Sequence, residues 1–115
     1  MPKPELEFHS IEDVKWTRCE GKVPTLYEKI LARDPQTGTV TRLLKFEPGT
    51  DTTPNGTLRH DFWEEIYILE GSLFDKVLNR RFSKGMYACR PPGMPHGPWI
   101  SEEGCITFEV RYSTK

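Results

Sequence analysis

The sequence lacks an excess of charge, long apolar runs and regular helical patterning. Sixteen basic residues face seventeen acidic ones, for a net charge of −1. There is no basic stripe, so nucleic acid is not expected as a partner. No apolar run approaches the roughly 18 residues of a membrane span, and the charged, proline-containing N-terminus is unlike a signal peptide. We therefore expect a cytoplasmic protein with no membrane association.

Cysteine is also scarce, and its three positions show no metal-like spacing. An odd number of widely separated cysteines (Cys19, Cys89 and Cys105) is typical of reduced thiols in the cytoplasm. A chain of 115 residues is long enough for one domain with a modest core. We expect an N-terminal arm over residues 1–24 and a single domain over residues 25–115.

Ten prolines and nine glycines divide the chain into short segments. A helical turn capped by Ser10 is one interpretation of residues 10–17, and an irregular lead-in is the other. Elsewhere, β-branched and aromatic runs between turn residues predict short strands, with one turn at Glu70-Gly71. The predicted strands are residues 25–33, 39–46, 64–69, 72–77, 86–89 and 105–112, and a turn that begins at Asp34-Pro35 joins the first two as a hairpin. With the shorter segments between them these make about eight strands, which predict an all-β double-sheet jelly roll or small barrel.

Two stretches carry residue types suited to chemistry. In the first, His60 and Glu64 lead into an apolar run that ends at Gly71. An imidazole and a carboxylate at the mouth of a strand indicate a metal site or a proton-transfer site. In the second, residues 90–98 hold four prolines and His96. The prolines restrict the backbone, so that His96 stands on a rigid support of the kind that a preorganised ligand needs.

The two stretches resemble the paired sequence motifs of the cupin superfamily, and more closely those of the ChrR-like cupins. That family is named for the cupin domain of a bacterial zinc-binding anti-sigma factor. The resemblance covers roughly residues 25–112 and implies a double-stranded β-helix, the jelly-roll barrel of cupins. It also implies a homodimer. The matching positions are His60, Glu64 and Gly71 in the first motif, and Gly85, Pro91, Gly93 and His96 in the second.

The sequence departs from the family pattern at two positions. Leu58 stands where the family places its first histidine, and Ile100 where an asparagine is frequent. The residue types that remain are two imidazoles and one carboxylate, from His60, Glu64 and His96. This set suits one divalent transition metal, namely iron, zinc, nickel or manganese, and leaves positions open for substrate.

The spacing within the first motif imposes a condition on this site. Residues four apart on a straight strand point the same way but lie about 13 Å apart, at ~3.3 Å per residue. His60 and Glu64 can therefore share an ion only if residues 61–63 bend or bulge. Glu65 is the competing carboxylate. We prefer Glu64, because alternation places it on the same face as Ile66 and Ile68.

Aromatic residues and one arginine are candidates for a ligand pocket. Trp99 follows His96 by three residues and is the best of them, and Trp63 and Tyr87 are further candidates. The same aromatics could instead form the core of a small β protein. Arg90 could face an anionic ligand or form a surface salt bridge. The predicted pocket comprises Trp99, Trp63, Tyr87 and Arg90.

Three functions are compatible with these residues. The first is a metal-dependent dioxygenase of small organic substrates, because the resemblance includes small cupins that cleave β-dicarbonyl compounds with iron. The second is a non-catalytic module that binds a metal or a small molecule, related to the anti-sigma cupin domain. The third is a degenerate cupin without a metal, with Leu58 marking the loss of the site.

Overall fold

The computed structural model describes residues 3–114, which form a curled antiparallel β structure with two short 3-10 helices, Ile11–Asp13 and Thr53–Asn55. Residues 1 and 2 of the predicted arm, and residue 115 of the predicted domain, lie outside the described part. Nine strands follow one another within residues 3–114. They are β1 (Thr17–Arg18), β2 (Leu26–Arg33), β3 (Val40–Phe46), β4 (Thr50–Asp51), β5 (Trp63–Asp75), β6 (Arg80–Ser83), β7 (Tyr87–Arg90), β8 (Trp99–Ser101) and β9 (Cys105–Tyr112).

The strands form two layers that share β5. The first layer has the order β1-β2-β3-β9-β5-β7, and the second has the order β4-β8-β5-β6. The N-terminal half of β5 pairs with β9 and β7, whereas Phe74 and Asp75 at its other end pair with β8 and β6. This is the jelly-roll arrangement that the sequence predicts, with β5 as the strand that crosses between layers.

The predicted hairpin of β2 and β3 and the predicted last strand β9 are confirmed within one residue at each end. The predicted turn at Glu70-Gly71 is wrong, because β5 runs through it as one strand of thirteen residues in all. Gly71 has a φ of +76° and follows a register shift between Ile68 and Glu70. Together these bend the strand into the second layer without reversing it. The short strands β1, β4, β6 and β8 were not predicted.

Gly71 occupies a position that no side chain fits. A Cβ atom there would lie 1.9 Å from the backbone oxygen of Gly104, in the neighbouring chain segment. We expect Gly71→Ala to lower the free energy of unfolding by about 2–5 kcal/mol, through the left-handed backbone and the overpacking together. Gly85→Ala is the matched control, since its φ of +89° is similar but no atom lies within 4 Å. Denaturant unfolding of both variants measures the difference, and equal losses would contradict the steric account.

The segment before β2 packs on the outside of the first layer. Ser10 caps the first 3-10 helix by accepting a hydrogen bond from the backbone N–H of Glu12, which confirms the helical interpretation. The ring of Trp16 lies against two ammonium groups, with Lys29 Nζ at 4.9 Å and Lys45 Nζ at 4.5 Å from its centroid. These cation–π contacts hold the segment on the sheet.

The interior of the barrel is apolar at one end. The buried apolar cluster there comprises Cys19, Leu44, Phe46, Ile68, Leu73, Trp99 and Cys105. Cys89 is exposed, because its side chain is on the outer face of β7. Within residues 3–114, no helix is long and apolar enough to cross a membrane.

Candidate metal centre

The structure brings together the three predicted ligands. His60 lies just before β5, Glu64 is the second residue of β5, and His96 lies between β7 and β8. One ligand atom from each of the three side chains lies within 4.8 Å of the other two. Such a triangle of two nitrogens and one oxygen has the donor types and proximity of a metal site.

The bend that the spacing requires is present. Residues 61 and 62 form a bend, and β5 begins only at Trp63. The ring of Phe62 stacks on His60, with centroids 4.5 Å apart and an interplanar angle of 13°. The guanidinium of Arg111 covers Phe62, at 5.1 Å from its centroid. The condition that the spacing imposes on a shared ion is therefore met at residues 61 and 62.

Backbone hydrogen bonds join the proline-containing loop to the segment that carries His60. Leu58 and His96 exchange two of them, at 2.8 and 2.9 Å, and form an isolated antiparallel bridge. The N–H of Gly93 donates to the carbonyl oxygen of His60 at 2.8 Å. The two sequence motifs therefore meet through the main chain, and these bonds fix the backbone of both histidines.

The imidazole nitrogens at the centre are buried without partners. Among the described residues, His60 Nε2 and both ring nitrogens of His96 have no hydrogen-bond partner. Burial, followed by the nearby Arg90 and His60, lowers the pKa of His96 to about 3. Burial also lowers the pKa of His60, although Glu64 opposes the shift. Both rings are thus neutral at neutral pH, which is the form that binds a metal.

The two adjacent carboxylates face opposite sides of β5. Glu64 is 3 % exposed and shares the inner face with the buried Ile66 and Ile68. Glu65 accepts hydrogen bonds from Tyr87 and, at 2.6 Å, from Tyr112, and these bonds lower its pKa. The geometry therefore agrees with the choice of Glu64 over Glu65.

The two oxygens of Glu64 have different surroundings. Arg111 Nε donates to Oε2 at 2.7 Å. Oε1 lies 3.5 Å from Arg90 Nη1 and 4.0 Å from His96 Nε2. Arg111 thereby turns Oε1 toward the imidazoles, as outer hydrogen bonds commonly orient a ligating carboxylate.

Sequence reasoning missed Arg111 and the charges beyond it. Arg42 Nε donates to Glu109 Oε1 at 2.9 Å, and Arg42 Nη1 donates to Glu28 at 2.7 Å. Arg42 and Glu109 are direct cross-strand partners, as are Glu64 and Arg111. Alternating charges thus cross the inner face of the first layer, strand by strand. This charge ladder comprises Glu28, Arg42, Glu109, Arg111, Glu64 and Arg90.

A cavity of about 780 Å³ is lined by two of the three candidate ligands, Glu64 and His96, whereas His60 does not belong to the lining. Trp99 and Arg90 line it, and the guanidinium of Arg90 lies 5.1 Å from the Trp99 ring. Tyr87 also borders the cavity, but its hydroxyl donates to Glu65 on the outer face. Trp63 does not belong to the lining. The alternative of a surface salt bridge for Arg90 is wrong, because its only ion pair within residues 3–114 is with the buried Glu64.

The donor set fits a divalent transition metal. Three buried nitrogens without partners lie near a carboxylate oxygen, and Glu64 and His96 also line a cavity that a ligand could enter. Unpaired buried polar atoms are unfavourable for folding, and metal binding would satisfy those that coordinate it. Neither imidazoles nor carboxylate distinguish iron from zinc, nickel or manganese.

A jelly roll with imidazoles and a carboxylate at one end of its barrel defines a cupin. The chain belongs to the family described as the ChrR cupin-like domain, whose model matches residues 5–114. No curated protein matches the sequence.

Solved structures share the fold at low sequence identity. An RmlC-like cupin from Shewanella frigidimarina has a TM-score of 0.76 at 17% identity, over 100% of this chain and 96% of its own. An acetylacetone dioxygenase from Acinetobacter johnsonii has a TM-score of 0.75 at 13% identity, and the match covers 95% of this chain and 75% of the dioxygenase. The anti-sigma factor ChrR, in complex with Rhodobacter sphaeroides SigE, has a TM-score of 0.65 at 22% identity, and the match covers 88% of this chain and 51% of ChrR.

Proposed function

We propose that this protein is a metal-binding cupin that acts on a small organic substrate, as a metal-dependent dioxygenase of the diketone-cleaving type. His60, Glu64 and His96 would hold the ion. The observation that carries the proposal is the convergence of these three ligand atoms within 4.8 Å, with buried unpaired nitrogens, beside a cavity of about 780 Å³. Cavities of roughly 300–1,000 Å³ are typical of small-molecule sites.

The residues around the site have separate roles in this proposal. A bound iron would supply Lewis acidity and oxygen activation. Arg111 orients the carboxylate of Glu64, and apolar side chains such as Ile66 and Ile68 limit the access of water. Trp99 and Arg90 form the wall against which the substrate lies. The similarity in fold to an acetylacetone dioxygenase supports this choice of reaction.

The alternative is a binding module without catalysis, which the ChrR cupin-like family favours. A metal-free cupin is the third candidate. Two observations favour it: Leu58 replaces a ligand that the family supplies, and Arg111 and Arg90 already neutralise Glu64. In that case the charge ladder would be purely structural.

Metal analysis separates these candidates. Protein purified without a histidine tag and reconstituted with iron is expected to hold about one ion per chain by elemental analysis. Oxygen uptake is then measured over a panel of diketones and catechols, with zinc-loaded protein as the redox-inert control. Absence of bound metal would leave only the metal-free cupin. Stoichiometric iron with no uptake over the panel would favour the binding module.

By analogy with other cupins we also propose a homodimer located in the cytoplasm. Cupins commonly pair through a sheet, with the N-terminal strand lent to the neighbour. Here β1 forms one edge of the first layer. Light scattering in solution measures the mass directly, and a value near the 13.4 kDa of one chain would rule out the dimer.

A further inference from the structure

Arg90 is a largely buried cavity residue with unused hydrogen-bonding capacity. Its side chain is 14% exposed, and its guanidinium lies against the face of Trp99. A guanidinium carries five N–H donors in a planar fork. Among the described residues, the side chain of Arg90 makes one hydrogen bond, to Glu64 Oε1, at the long distance of 3.5 Å.

The same oxygen would be needed by a metal. Glu64 Oε2 is engaged by Arg111 at 2.7 Å, so Oε1 is the oxygen that faces His96. Coordination through Oε1 would draw its charge away from Arg90, because a metal and a guanidinium compete for one carboxylate oxygen. A buried guanidinium without an anionic partner is strongly unfavourable. Metal binding would therefore leave the Arg90 guanidinium without its anionic partner, and a new anion beside it would be favourable.

The charge of the whole cavity supports the same conclusion. The charged residues of its lining are Glu20, Glu28, Arg33, Arg42, Glu64, Asp75, Arg90, Glu109 and Arg111. Five carboxylates and four arginines give an excess of one negative charge. A divalent ion reverses this to an excess of one positive charge. A monoanionic ligand would restore neutrality in a cavity where screening by water is weak.

We propose that metal binding converts the cavity into a receptor for a small organic carboxylate, with Arg90 as the residue that binds the carboxylate group. This rests on the proposed metal site and adds the class of ligand. The planar fork of Arg90 suits a carboxylate through two parallel hydrogen bonds. The apolar part of the wall, with Leu44, Ile66, Ile68, Leu73 and Phe82, suits an apolar body. The ligand is thus a carboxylate that carries a hydrocarbon or aromatic group.

Binding of phenylpyruvate to the zinc-loaded protein tests the inference without turnover, because zinc is redox-inert. Its methyl ester is the matched neutral probe. By isothermal titration we expect the acid to bind at least tenfold more tightly than the ester, and at least tenfold more tightly to zinc-loaded than to zinc-free protein. Arg90→Met should weaken binding of the acid by about ten- to hundredfold, since it removes charge-assisted hydrogen bonds.

Two further variants control for charge and for folding. Arg33→Met removes a cation from the exposed part of the lining and should change the affinity by about twofold or less, because exposed charges are screened. Arg90→Lys keeps the charge without the fork and should fall between Arg90→Met and the unaltered protein. Thermal melting and zinc content, measured on each variant, confirm that the fold and the metal site are intact.

The possible failures differ in what they overturn. If the unaltered protein binds no zinc, the metal site and this inference fall together. If zinc binds but phenylpyruvate does not, or if the ester binds as tightly as the acid, only the carboxylate receptor is overturned. Equal affinity in Arg90→Met and the unaltered protein would likewise exclude Arg90 while leaving the metal site in place.

Discussion

Replacement of His96 by alanine is expected to lower the metal content from about one ion per chain to nearly none. Loss of an outer partner of a metal ligand typically weakens binding by about 10- to 100-fold, and loss of a ligand itself should weaken it further. Only two ligands would remain, from His60 and Glu64, and Arg111 and Arg90 would then hold the carboxylate without competition. Elemental analysis after dialysis against a weak chelator measures the effect.

The matched control is His9→Ala, because His9 is exposed and lies outside both motifs. It should retain the metal of the unaltered protein. Stability of the metal-free protein provides a second readout. His96→Ala should cost little there, since it also removes two buried nitrogens that have no partner. Full metal content in His96→Ala would show that the ion, if present, is bound elsewhere.

Leu58→His is expected to strengthen metal binding by about tenfold or more, because even an outer hydrogen-bond partner of a metal ligand typically contributes about 10- to 100-fold to metal affinity. Leu58 and His96 are direct antiparallel partners that exchange two backbone hydrogen bonds. Side chains of such partners project to the same side and have Cβ atoms about 5 Å apart. Leu58 also lines the cavity. A histidine here would therefore add a third imidazole beside the other two.

The control for this gain is Arg59→His, which adds an imidazole one residue further along. Arg59 is exposed and absent from the cavity lining, and its side chain donates a surface hydrogen bond to the carbonyl oxygen of Gly93, so its replacement should change metal affinity far less than Leu58→His does. Competition with a chromogenic chelator measures all three proteins under the same conditions. If Leu58→His bound metal no more tightly than Arg59→His, the ligand triangle would not lie beside the Leu58–His96 bridge.

The fold was largely predictable because its turns and strand compositions are local signals. The Asp34-Pro35 turn and the β-branched runs around it identify a hairpin from neighbouring residues alone. Gly71 shows the limit of such reasoning. A glycine after an apolar run is typical of a turn, yet here it allows a close approach to the backbone of Gly104, and that contact depends on packing between distant segments.

The candidate metal ligands were predictable from residue type and motif spacing, whereas the charge ladder was not. In β9 the apolar residues Ile106, Phe108 and Val110 alternate with the polar Thr107 and Glu109. The usual assignment turns the apolar set inward, but Thr107 and Glu109 are the buried ones, at 1% and 4% exposure. A barrel that keeps a cavity can reverse the pattern, because its inner charges pair with one another across the strands.

The strand β5, which crosses between the layers, and the loop that carries His96 differ in how firmly hydrogen bonds hold them. β5 pairs with four other strands, so its amide hydrogens should exchange with solvent only when the whole domain unfolds. His96, by contrast, is held through a single isolated bridge to Leu58. Glu64 thus stands on the most persistent element and His96 on one that can open locally. The lifetime of a bound ion should accordingly follow the opening of that loop and not the global stability of the protein.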